Sequence, residues 1–120
     1  MNREERVRAA VEGRQPDRVP VSVWMHISDK DQDPRSLAEA MVEFNEKYDY
    51  DFIKMMPFGA YSVPDWGAKL DVYCDRYKEV VIAASGISSR EDYKCIEPLP
   101  AIYGTWGKVL QLSRWLERLA

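Results

Sequence analysis

Two apolar runs that do not alternate with polar residues constrain this chain most: 19–25 (VPVSVWM) and 51–56 (DFIKMM). A half-buried strand alternates with period two, whereas a run without alternation reads as a strand covered on both faces, as in a parallel sheet. Parallel neighbours need a crossover, and the segment between the runs is built for one. Asp33 is placed as an N-cap, with Pro34 at the first helical position. Leu37, Met41, Phe44 and Tyr48 then follow on one helical stripe. The spacing predicts a helix over 34–48 crossing between parallel strands at 20–26 and 51–56, a right-handed βαβ unit.

The flanks carry weaker signals. Asn2 and Glu5 form a capping-box pair and Gly13 is placed to end a helix, whose narrow apolar face (Val7, Ala10, Val11) puts it on the outside. A turn at 15–18 leads into the first run. After Pro57, glycine and proline punctuate a loop as far as Gly67. Residues 70–74 and 79–83 are expected to pair as a small β-hairpin across Asp75, Arg76 and Tyr77. Ser88 with Glu91 reads as a second capping box, opening a short helical turn before Pro98-Leu99-Pro100. A last helix from about Thr105 carries Val109, Leu112, Leu116 and Leu119 at helical spacing. The fold class expected is α/β. It is an incomplete TIM (β/α)8 barrel over residues 1–120, with an outer helix, a βαβ unit and a small hairpin. Complete barrels take about 250 residues. A two-stranded start leaves a ladder edge open, so self-association or docking with a complementary chain is expected.

Composition narrows the function classes. Hydrophobic residues at 46% and charged residues at 31% fit a globular domain. The net charge of −3 gives no field favouring nucleic acid or an anionic membrane. The early arginines (Arg3, Arg6, Arg8, Arg14, Arg18) alternate with Glu4, Glu5, Glu12 and Asp17, the pattern of a solvated helix face. No apolar run reaches the roughly 18 residues of a membrane helix, and no apolar stretch follows the charged N-terminus as in a secretory signal. A cytoplasmic protein is expected. Cys74 and Cys95 form no close-spaced pair and are expected to be small buried hydrophobes; with His26 they lack zinc-ligand spacing.

Catalytic and nucleotide-binding signatures are missing: no G-x-G-x-x-G after a strand, no phosphate-binding loop, no G-x-S-x-G, no H-E-x-x-H. Position is more informative. In parallel α/β barrels, sites form where strands deliver residues at their C-terminal ends. The first run ends in Met25-His26-Ile27-Ser28-Asp29-Lys30 and the second in Met56-Pro57-Phe58-Gly59-Ala60-Tyr61. His26, the single histidine, suits carboxylate binding or proton movement, and Lys30 suits an anion as a point charge. Phe58 and Tyr61, with Trp24 and Trp66, suit a flat apolar ligand or the core.

The run Arg3-Glu4-Glu5-Arg6-Val7, followed by Pro16-Asp17-Arg18-Val19-Pro20-Val21, resembles the N-terminus of the uroporphyrinogen decarboxylase superfamily. The stretches 48–54 and Asp65-Trp66-Gly67-Ala68 are similar to divergent members, and the resemblance spans about the first third of the family's length. It implies a TIM-type barrel that decarboxylates porphyrinogen acetates without a cofactor. Its other branch transfers methyl groups between corrinoid proteins and thiols. The substrate implied is a tetrapyrrole or a corrinoid-linked group. In the decarboxylases two arginines after the first strand bind substrate carboxylates, and here those positions fall within Met25 to Lys30, where His26 and Lys30 are the basic residues. A pyrrole-contacting aspartate past the second strand is matched by Phe58. Phenylalanine cannot accept hydrogen bonds or offset positive charge, so decarboxylation of uroporphyrinogen by the chain alone is not expected.

Overall fold

In a computed structural model covering residues 1–120, three helices and a two-stranded sheet are joined by long irregular segments. Helix α1 spans Arg3–Val11 and opens on a full capping box, in which Asn2 Oδ1 accepts from the Glu5 N–H and Glu5 Oε2 from the Asn2 N–H. Its buried face is Arg6 and Ala9, not the Val7, Ala10 and Val11 face expected, and Val11 is 82% exposed. Helix α2 (Pro34–Tyr48) is capped by Asp33, whose carboxylate accepts from the Ser36 N–H at 2.8 Å. It ends where Asp49 turns left-handed at φ 55°. Helix α3 (Gly104–Leu119) lies against α2, and Leu37, Ala38, Met41 and Leu112 close the seam. Ile27, Ile53, Met55, Met56, Trp115 and Leu116 pack around it.

The two apolar runs lie side by side beneath α2 and run in the same direction. Val21 meets Asp51, Ser22 Oγ donates to the Phe52 carbonyl at 2.7 Å, and the Lys54 ammonium lies over the Trp24 ring. The partner's number is 30 higher each time. Neither run is a regular strand, however. Only one backbone hydrogen bond joins them, from the Asp51 N–H to the Val21 carbonyl at 2.9 Å, and Val19, Val21, Val23 and Trp24 stay exposed. The expected strands at 20–26 and 51–56 are therefore corrected to extended segments. A parallel pair with no third strand and only one covered face lacks the partners that would hold its ladder in register.

The sheet that does form is the hairpin, shorter than expected. Strand β1 (Lys69–Asp71) pairs antiparallel with β2 (Val81–Ala84), with an irregularity beside Lys69 and an isolated bridge between Asp75 and Lys78. The reciprocal cap expected of Ser88 and Glu91 falls one residue later. Asp92 Oδ2 accepts from the Ser89 N–H at 2.8 Å, and Ser89 Oγ accepts from the Asp92 N–H at 3.4 Å. Both cysteines are exposed rather than buried, because the segments carrying them pack against no core element. The radius of gyration, 17.6 Å, exceeds the roughly 13.6 Å of a compact 120-residue domain. No helix is long and apolar enough to cross a membrane.

Candidate functional site

The most constrained polar cluster joins the first turn of α1 to the starts of both extended segments. Arg6 reaches inward from α1 and holds Asp17 with two bonds, Nε to Oδ1 at 2.7 Å and Nη2 to Oδ2 at 2.9 Å. Its Nη1 donates to Asp51 Oδ1 at 2.6 Å and Nη2 to the Met1 carbonyl at 2.8 Å. Arg18 grips Asp51 from the other side at 2.6 and 2.9 Å, and the Val21 N–H donates to Asp51 Oδ2 at 2.8 Å. Each guanidinium forks onto a carboxylate, the geometry that makes such pairs strong. The Val21 N–H, and after it Arg18 and Arg6, hold the Asp51 carboxyl down to about 2, against the opposing effect of burial. Hydrogen bonding to Arg6 holds the Asp17 carboxyl far below its ordinary range. Arg6 is thus no part of a solvated face. It is buried, because two aspartates remote in sequence neutralise it. Arg6, Arg18 and the Met1 ammonium, 3.4 Å from Asp17 Oδ2, are all engaged by the two carboxylates, so this cluster orients backbone.

The far ends of the segments carry the residues singled out in the sequence. His26 sets its ring edge-on to Trp24 at 6.0 Å, and its buried Nδ1 has no hydrogen-bond partner. Lys30 is exposed in the turn that follows, where its N–H donates to the Ile27 carbonyl at 2.9 Å. Phe58 is buried against the α2–α3 seam, lining with Asp31, Leu37, Lys108, Val109 and Leu112 a void of about 10 Å³, room for a single water. Tyr61 is half-buried, edge-on to Trp106 of α3 at 5.2 Å. Phe58 and Tyr61 are therefore gathered on α3, His26 stands on Trp24, and Lys30 faces solvent.

Asp31 and Lys108 escaped the sequence reading. Asp31 is buried, and that burial pushes its carboxyl above the ordinary range, while the Gln32 amide and the charge of His26 act the other way. Asp31 and Phe58 line the same void, which brings the turn after the first segment beside the end of the second. Nothing in the acid-rich turn 29–33 distinguishes Asp31 from its exposed neighbours Asp29 and Asp33. Lys108 lies four residues into a helix whose register with α2 no local pattern gives. No lysine in the chain forms an ion pair, so Lys30 and Lys108 are free cations at this end.

The loop after the second segment leads to a larger hollow of about 480 Å³ below the hairpin, walled by Val63, Trp66, Ile82, Tyr93 and Ile96. Trp66 is fixed there by its Nε1–H, which donates to the Glu97 carbonyl at 2.9 Å. The volume lies within the range of small-molecule pockets, and the walls are apolar. One carboxylate secures the loop: Asp65 accepts from both the N–H and the hydroxyl of Thr105, at 2.9 Å each, capping α3 from across the chain. Gly104, at φ 51°, lies so close that a Cβ would collide with that carboxylate. No group of three or more histidine, cysteine or acidic side chains could hold a metal ion. Set against known proteins, the chain matches no family model, no curated protein and no solved structure.

Proposed function

We propose that the chain is a uroporphyrinogen decarboxylase-like β/α segment of the cytoplasm that supplies one wall of a site for a flat, polyanionic tetrapyrrole. The observation that carries this reading is the common direction of the two extended segments, with a constant offset of 30, pinned at their starts by Asp51. That arrangement turns the loops after both segments to one end, where parallel α/β proteins bind ligands. The residues that pin it, Arg6, Asp17, Arg18 and Asp51, belong to the motifs that carry the resemblance. At that end Lys30, Lys108 and protonated His26 provide cations for carboxylates, and the loop beyond Phe58 leads through Tyr61 to the apolar hollow at Trp66. Lysine meets a carboxylate as a single point charge, so binding is looser than an arginine fork allows. A decarboxylase must also offset charge developing on the pyrrole, and Phe58 offers no group for that.

Titration with uroporphyrin, the stable octacarboxylate, tests the reading through quenching of tryptophan fluorescence. The expected result is saturable binding in the micromolar range, weakened several-fold by Lys30→Ala and by His26→Ala. In parallel, uroporphyrinogen incubated with the chain is expected to lose no carboxylate above the uncatalysed rate. Absence of saturable quenching, or quenching indifferent to both substitutions, overturns the binding reading. Accelerated decarboxylation overturns the inactivity.

A further inference from the structure

We infer that residues 22–26 are an open β-edge through which two copies of this chain pair antiparallel about a two-fold axis. This rests on the edge alone and is independent of any tetrapyrrole. None of the backbone N–H or C=O groups from Ser22 through His26 has a hydrogen-bond partner in the chain. Along it the side chains of Val23 and Trp24 are half-exposed, at 48% and 50%. Unpaired backbone flanked by exposed apolar side chains is the surface that accepts an added strand.

The apolar surface continues along the run, with Val19 at 76%, Val21 at 46% and Met25 at 39% exposure. A second copy fits because the edge is self-complementary. Residues 19–26 carry no charged group beyond what His26 acquires on protonation, so two such edges meet without like-charge repulsion. A two-fold axis presents the same residues from both sides and closes after two copies.

The pleat selects the register. Val21 turns both its backbone groups to Asp51, its N–H to the carboxylate and its carbonyl to the N–H. On an extended course the opposite edge is then made by Ser22, Trp24 and His26. Pairing Trp24 with its own copy, and Ser22 with His26, gives about six backbone hydrogen bonds. It also leaves Pro20, which has no N–H to donate, beyond the paired stretch.

Light scattering coupled to size exclusion, run across a dilution series, tests the pairing. The expected result is a species near 28 kDa, twice the 14.0 kDa of one chain, dissociating on dilution. Val23→Lys places two ammonium groups across the axis, and Trp24→Pro removes the central N–H. Both are expected to give monomers that keep the helical circular dichroism of the parent. Amide exchange at Ser22, Trp24 and His26 should slow as concentration rises. If Trp24→Pro does not fold, the exchange pattern of the unmodified chain still decides. A monomer throughout the series overturns the inference. So do an open-ended aggregate, a dimer that survives Val23→Lys, or a dimer whose protected amides lie elsewhere.

Discussion

Residues 1–58 together with α3 contrast with the stretch 59–103. Every buried residue belongs to the first group, from Arg6 to Phe58 and from Gly107 to Leu112. The stretch between contains a three-residue strand, a four-residue strand and two short 3-10 turns, at Pro64–Trp66 and Asp92–Cys95. It buries no residue and is held by a few hydrogen bonds, such as the one from Trp66 to Glu97 and the cap that Asp65 places on Thr105. The first region is stabilised by burying apolar stripes and forked ion pairs, the second by turn and cap chemistry. Structure secured by isolated hydrogen bonds opens locally at low cost, whereas structure sharing a core opens with the whole.

The largest expected effect comes from Asp51→Ala. It removes the buried one of Arg6's two carboxylate partners, leaving Asp17, and frees Arg18 and the Val21 N–H, and removing one member of a buried pair is strongly destabilising. A fall in Tm of about 15 °C is expected by calorimetry, with loss of order in both extended segments. The same substitution reshapes the acid limb of stability. Asp51 has a folded value near 2, below the ordinary 3.8, so its stabilisation is complete above the ordinary value. It drains away as pH falls toward 2, and Asp17, lowered in the same direction, adds to this acid loss. Asp31, raised by burial, acts with opposite sign, since its ionisation above the ordinary value opposes folding. In Asp51→Ala the loss of stability between about pH 4 and pH 2 should shrink. An unchanged acid limb would place the acid sensitivity outside this cluster.

Leu112→Ala follows in size. The side chain is 2% exposed in the α2–α3 seam, and its truncation should cost about 2–5 kcal/mol of unfolding free energy, read by urea denaturation. A cost below about 1 kcal/mol would mean the seam is loosely packed. The smallest effect separates the two regions most sharply. Asp65→Ala removes the remote cap of α3 and is expected to cost about 1 kcal/mol globally. Limited proteolysis should then cut within 59–103 several times faster while the α2–α3 seam remains protected. Equal sensitivity throughout the chain would mean that the two regions unfold as one.

Much of the fold was legible because its signals are local. The Asn2–Glu5 box, the Asp33–Pro34 start and the Leu37/Met41 stripe act over three or four residues, and helices form where they predict. Phe58, which the sequence left open between a ligand wall and the core, lies in the seam against α3. Arg6, read as solvated from its charged neighbours, is buried by aspartates 11 and 45 positions away. The apolar runs specified an extended conformation and a shared direction, but a ladder requires partners on both sides that sequence periodicity cannot supply.

By itself, then, the sequence determined where the helices start, which stripe α2 and α3 bury, and that the middle of the chain would be turn-rich. Only the tertiary structure decided that Asp51 gathers Arg6, Arg18 and Val21, and that Asp65 caps a helix 40 positions later. It also left the 22–26 edge open. The division follows from range. Caps and helical periods are satisfied by neighbours a few residues away, whereas a buried charge, a remote cap or a strand edge is defined by whatever the folded chain brings beside it.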